Sequence, residues 1–117
     1  PVPENCQRAH SLTSEFYDVI TFFDSLEHFE DISFVEDLKC NYVCISLPEC
    51  HYFSDEWFDT WKHRKPDEHL WHFNLPALIT FMKSVGFNYV THSNIEDQIR
   101  KYSHDYSNIL TAIFKKL

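Results

Sequence analysis

Apolar and polar positions along the chain fall into separate blocks. The first block is Val19-Ile20-Thr21-Phe22-Phe23, a short β-branched and aromatic run that reads as a strand from Tyr17 to Phe23. An unbroken run of this kind suits a strand covered on both faces, as in parallel α/β sheets. Polar chemistry starts at once after it, with Asp24, Ser25, Glu27 and His28. Asp24 or Ser25 suits a helix N-cap, and Glu27 suits the first turn, where carboxylates are favoured. The pattern predicts a strand, its carboxyl end, and the start of a helix. Ligands in open α/β sheets bind at such carboxyl ends.

The remaining blocks continue the alternation. Phe34, Val35 and Leu38 have helical spacing within Ser33 to Leu38, after an interruption at Asp31-Ile32. Asn41 to Leu47 reads as a second strand, stopped by Pro48, which cannot donate to a central ladder. Glu49 to Asn74 lacks a long period and reads as a structured excursion, with a short helix over Asp55 to Lys62. Leu75 to Val85 is the clearest helix. Asn74 suits its N-cap and Pro76 its first turn, while Leu78, Phe81, Met82 and Val85 form one apolar stripe and Gly86 stops it. Phe87 to Thr91 is a third strand and Asn108 to Phe114 a fourth, with partial helix over Ile95 to Tyr102 between them. Pro1 to Glu15 is a polar lead-in with a short helix over Ser11 to Glu15. The order predicts one α/β domain over residues 1–117. Its first three strands run parallel through right-handed crossovers, and the last two pair antiparallel.

Composition narrows the function classes. A chain of 117 residues with 44% apolar and 17% aromatic residues can bury a core. A net charge of −8 repels phosphate backbones, so no nucleic-acid partner is expected. No apolar run is long enough to span a membrane, and the N-terminus lacks a signal-peptide pattern, so the expected location is cytoplasmic. There is one glycine, Gly86, where average usage of about 7% would give roughly eight. No glycine-rich phosphate loop can be built from that. Cys6, Cys40, Cys44 and Cys50 read as free, buried thiols.

The blocks YDVITFFDSLEH, NYVCISLP and HLWHFNLPALITFMKSVGF, followed by a terminal strand pair, resemble the C-terminal half of class I S-adenosylmethionine-dependent methyltransferases of the small-molecule branch. The resemblance spans Tyr17 to Leu117. It rests on Asp18-Val19-Ile20, on the turn Asp24-Ser25-Leu26-Glu27-His28, on Pro48 and on Gly86-Phe87. It implies part of a Rossmann-like sheet, about four strands, mostly parallel with one antiparallel strand and flanked by helices. It also implies S-adenosylmethionine as cofactor, with Phe23, Asp24, Ser25, Glu27 and His28 around it and His69 and His72 toward a small-molecule substrate. The family's glycine-rich loop and ribose-binding acid have no counterpart here. The resemblance therefore implies an enzyme incomplete by itself, with weak or absent cofactor binding and a separate N-terminal half as a partner. In the family the strand matching Tyr17 to Phe23 lies inside the sheet. With its neighbour missing, that edge, which carries no charge from Val19 to Phe23, is expected to pair with a second copy of the chain.

Two other readings stand beside this one: a non-catalytic interaction domain that keeps the fold, and a small zinc-binding module. Cys50, His51, His63, His69 and His72 are zinc-binding residue types, but their spacings match no closed zinc motif, so no metal is expected. His69 and His72, three apart, could share a helix face. Trp57, Phe58, Trp61, Trp71 and Phe73 form a candidate aromatic cluster, which suits a substrate lid or a satellite core.

Overall fold

A computed structural model describes residues 3–6, 11–102 and 105–117. Parts of the lead-in therefore lie outside the described residues. The segment from Ser11 to Glu15 forms turns and bends rather than the expected helix.

Four strands make one sheet: β1 (Phe16–Phe23), β2 (Lys39–Pro48), β3 (Phe87–Ser93) and β4 (Ile109–Lys116), in the order β1-β2-β4-β3. β1 and β2 pair parallel, with Ile20 opposite Val43 and Phe22 opposite Ile45. β4 lies antiparallel between β2 and β3, so three strands share one direction and one opposes them. The expected antiparallel terminal pair is present. Because β4 also inserts beside β2, only one of the three pairings is parallel.

Among the described residues three α-helices accompany the sheet: α1 (Asp55–Thr60), α2 (Leu75–Ser84) and α3 (Ile95–Ile99). α2 is built as its sequence dictates. The Asn74 side chain accepts from the Ala77 amide at 2.9 Å, and Pro76 occupies the first turn. Gly86 ends it at φ +93°, a conformation that strains any residue with a Cβ. Leu78 and Met82 point from α2 into the core. They meet Ile20 and Phe22 of β1, Val43 and Ile45 of β2, and Phe114 of β4 in one cluster. Ile32, Val35 and Leu38 close that cluster around a 3-10 turn, Ser33–Asp37.

This cover serves one face of β1. On the other face Val19 and Phe23 are 51% and 56% exposed, and Tyr42, which pairs with Val19 in the register, is 37% exposed. The sequence expectation of a strand covered on both faces is thus corrected. Ile20 and Phe22 alternate with open neighbours, although every residue from Val19 to Phe23 except Thr21 is apolar.

The expected helix after β1 is also shorter than its pattern. Asp24 turns into the left-handed region at φ 52° and ends the strand, after its amide donates to the Ser46 carbonyl at 2.9 Å. A single 3-10 turn follows, Leu26–His28, and the Ser25 side chain does not cap it. Asp and Asn tolerate the left-handed conformation better than most residues, which suits Asp24 to this corner. Among the described residues no helix is long and apolar enough to cross a membrane.

Candidate functional site

The parallel strands β1 and β2 end at the same edge of the sheet. The antiparallel strand β4 begins there. That edge gathers the Asp24–His28 turn, the segment from Glu49 to Phe73, and α3.

Glu27 is the deepest polar group in the turn, at 2% exposure. Among the described residues, neither carboxylate oxygen has a hydrogen-bond partner outside its own residue. Burial pushes its carboxyl up from the ordinary range. Its own amide and the His28 ring oppose this, Asp24 reinforces it, and the His69 ring opposes it more weakly. The backbone of the same residue is well used. The Glu27 carbonyl accepts from the amides of Leu70 at 2.8 Å and Trp71 at 3.3 Å. The Trp71 indole donates to the Phe29 carbonyl at 2.8 Å. These bonds fasten the loop around residue 70 onto the turn after β1.

The loop brings His69 beside His28, with ring centroids 4.8 Å apart in an edge arrangement. The Nδ1–H of His69 donates to the His63 carbonyl at 2.5 Å, since a carbonyl can only accept. That bond fixes the ring and leaves Nε2 as the acceptor nitrogen in the neutral form. His63 in turn places Nε2 2.8 Å from the Asn108 carboxamide oxygen.

His69 and His72 do not share a helix face. The segment between them is extended loop, and His72 packs against Phe58 and Trp61 at centroid distances of 5.1 and 6.0 Å. The expected aromatic cluster divides likewise. Trp57 and Trp61 stack at 5.2 Å and Phe58 joins them, but Trp71 lies against Phe29 and Phe73 is buried in the main core against Phe81. Beside the stacked tryptophans is a cleft of about 260 Å³, reaching Lys62, Tyr102 and Asn108. Trp57 and Trp61 of the expected aromatic cluster line it, but none of the candidate cofactor or substrate residues read from the sequence does.

Two site features had no sequence signal. Arg100, after α3, reaches back to the Asp24 carboxylate at 3.4 Å and to Glu96 at 3.0 Å. Asp97 is buried, and its carboxylate accepts from the amides of Asn108 at 2.8 Å and Ile109 at 3.0 Å, fixing the start of β4. The thiols of Cys40, Cys44 and Cys50 are free, and burial pushes each above the ordinary thiol range. Cys40 and Cys50 are buried as expected, Cys44 is half-buried, and Cys6 is exposed.

A family model described as a methyltransferase domain matches residues 3–92. The chain belongs to that family. In this methyltransferase domain the match runs from the lead-in through most of β3, while α3 and β4 lie beyond it. Comparison with curated proteins and with solved structures gave no match. Methyltransferase domains of this family generally use S-adenosylmethionine. Among the described residues, the turn after β1 presents the groups that such a cofactor could meet. Phe23 offers an exposed ring and Asp24 an exposed carboxylate, and His28 is exposed beside them. A glycine cradle is not among them. Gly86 precedes β3 at the opposite end of the sheet, and open space surrounds the position of its absent Cβ.

Proposed function

We propose that this methyltransferase domain transfers a methyl group from S-adenosylmethionine to a small molecule, in partnership with a segment that supplies the glycine-rich cradle. The observation that carries the reading is the family match across the turn at the carboxyl end of β1. Phe23, Asp24, Ser25 and His28 form the cofactor side of that turn, with Glu27 beneath them. When bound, the cofactor supplies an electrophilic methyl for direct in-line displacement. The chain's own task is then positioning, which accounts for most of what such a transfer needs. His69 and His72 border the substrate side, where a neutral imidazole accepts the proton that a nucleophilic hydroxyl or amine releases. The aromatic cleft of about 260 Å³ at the same end of the sheet lies just below the size of about 300 Å³ at which ligand pockets ordinarily start, so it favours a small substrate over a large one. The free, buried thiols support a reducing, cytoplasmic setting.

Titration calorimetry of the chain alone with S-adenosylmethionine tests this reading. The expected result is no saturable binding below about millimolar concentration. Binding should appear when a glycine-rich first half is co-expressed, together with methyl transfer to added small-molecule acceptors. Tight stoichiometric binding by the chain alone overturns the partnership. Absence of both binding and transfer with the first half present overturns the activity.

A second reading, a non-catalytic interaction domain, is supported by a different observation. β1 is the outer strand of the sheet, and its open face carries Val19 and Phe23.

A further inference from the structure

We propose that Glu27, His28 and His69 form a binding site for one divalent cation of the zinc class. One potential ligand atom from each residue lies within 4.8 Å of the other two. The His28 and His69 rings pack edge-on with centroids 4.8 Å apart, and the Glu27 carboxylate lies within the same reach. Glu27 contributes a buried carboxylate with no hydrogen-bond partner outside its own residue among the described residues. An unpaired buried carboxylate is costly, and coordination to a metal is one of the few ways a fold can keep one.

His69 is already dressed as a ligand. Metal-bound histidines almost always donate their other ring N–H to a carbonyl or carboxylate, which sets the tautomer and the ring plane. The Nδ1–H bond from His69 to the His63 carbonyl is of this kind. The Leu70 and Trp71 amides on the Glu27 carbonyl hold the two ligand-bearing segments together, so the donor groups are largely preorganised. The remaining adjustment is small. Ligand atoms around a tetrahedral zinc ion stand about 3.4 Å apart, given metal–ligand distances of about 2.0–2.2 Å. His28 is exposed and its ring already packs against that of His69, so a rotation about its side-chain bonds meets solvent on its outer side. Two imidazoles and one carboxylate suit zinc or a similar first-row cation and disfavour magnesium, which prefers an all-oxygen shell. With three protein ligands, the fourth position is left open, the arrangement of catalytic rather than closed structural sites.

The expectation of no metal came from spacings among Cys50, His51, His63, His69 and His72. The site instead draws two ligands from the turn after β1 and one from that stretch. Its donors are residues that the methyl-transfer reading places at the cofactor and substrate sides, but its test reads metal binding by the chain alone and so fails or succeeds separately from that reading.

The test uses the full chain without a histidine tag, stripped with chelator. It is titrated with zinc chloride by calorimetry and with cobalt(II) by visible absorption. The expected result is one ion per chain, with cobalt d–d bands and no thiolate charge-transfer band. His28→Ala and His69→Ala each weaken zinc affinity at least about tenfold, the least effect seen for support residues alone. His72→Ala leaves it unchanged. His28 is exposed, so its variant keeps the fold even where His69→Ala loosens the loop, and circular dichroism verifies this. Absence of saturable binding by the native chain overturns the proposal. Undiminished binding in His28→Ala overturns it too, as does a sulfur-to-cobalt band, which would move the ligands to the cysteines.

Discussion

The Leu70 amide donates to the Glu27 carbonyl at 2.8 Å. This one bond joins the two stretches that carry the chain's chemistry, although 43 positions separate them. It sets the backbone of Glu27 into a small ladder with the loop, while the side chain of the same residue is left buried without an outside partner. Stability and binding therefore pull in opposite directions at this residue.

The first prediction follows from that conflict. Glu27→Gln should stabilise the metal-free chain at neutral pH by about 1–2 kcal/mol, because the amide carries no charge into the buried site. The sign of the pH dependence is fixed by burial, which raises the folded carboxyl above its unfolded value. Such a group contributes most below its unfolded value, and the contribution is lost as pH rises through the folded value. The gain from glutamine should thus be largest near neutrality and vanish in acid. Urea melts of both proteins in chelator at several pH values measure it. A glutamine variant less stable at pH 7 would show that the carboxylate has a compensating partner.

Asp97 presents the reverse case, a buried carboxylate that is well used. At 4% exposure it accepts from the Asn108 and Ile109 amides. Asp97→Ala leaves two buried donors unsatisfied, at about 1–3 kcal/mol each before relaxation. We expect a loss of about 2–4 kcal/mol in denaturant melts. Amide exchange should accelerate first at Asn108 and Ile109. A loss below about 0.5 kcal/mol, the ordinary surface range, would mean that water replaces the carboxylate freely.

What the sequence revealed follows the range of its signals. Caps and stripes act over a few residues, so Asn74, Pro76, Leu78, Met82 and Gly86 defined α2 with its ends. Apolar runs located all four strands within a few residues. Pairing acts over longer distances. Nothing in Asn108 to Phe114 says that this strand inserts beside β2 as well as β3. The run Val19 to Phe23 resembled a doubly covered strand because apolar residues also occupy its open face. The turn after it was located by the abrupt change to Asp24, Ser25, Glu27 and His28. The burial of Glu27 and its approach to His69 were not visible, since they depend on how the loop through Leu70 returns to β1. The pairing of Arg100 with Asp24 has the same cause: it spans 76 positions and has no local pattern.

His63 supplies the pH prediction for the loop. Burial is the largest influence on its ring and holds its pKa below the ordinary imidazole value, against the raising effect of the Asn108 hydrogen bond. The neighbouring cations Lys62 and Lys65 and the His69 ring lower it further. A folded value below the unfolded one means that the neutral ring is preferred in the fold. Its stabilising contribution is present above the unfolded imidazole value, near pH 6.5, and is lost as pH falls through the folded value. Thermal melts of the metal-free chain should show stability falling below about pH 6.5, with a shallower fall in His63→Gln. Ring-proton NMR titration reads the group directly. A His63 midpoint at or above that of an unfolded peptide would refute the assignment.

The last prediction concerns association. β1 is hydrogen-bonded to β2 on one side, and among the described residues no strand pairs with its other side. From Val19 to Phe23 this edge carries no charge, lysine or proline, the usual devices that protect an exposed strand. Its open face adds Val19 and Phe23, with Tyr42 of β2 behind them. We propose that a second copy of the chain occupies this edge. A two-fold axis would pair the two β1 strands antiparallel and fuse both sheets into one. A separate first half of a methyltransferase would compete for the same edge, because it offers a strand of its own. Sedimentation equilibrium over a concentration series should therefore show a dimer that dissociates on dilution. Val19→Lys should shift it to monomer without lowering the melting temperature of the monomer, since Val19 is exposed and leaves the core intact. Adding a first half should also replace the dimer with a one-to-one complex. A native chain that remains monomeric at high concentration would mean that the edge is covered from within the chain. A Val19→Lys dimer of unchanged affinity would place the interface on another face.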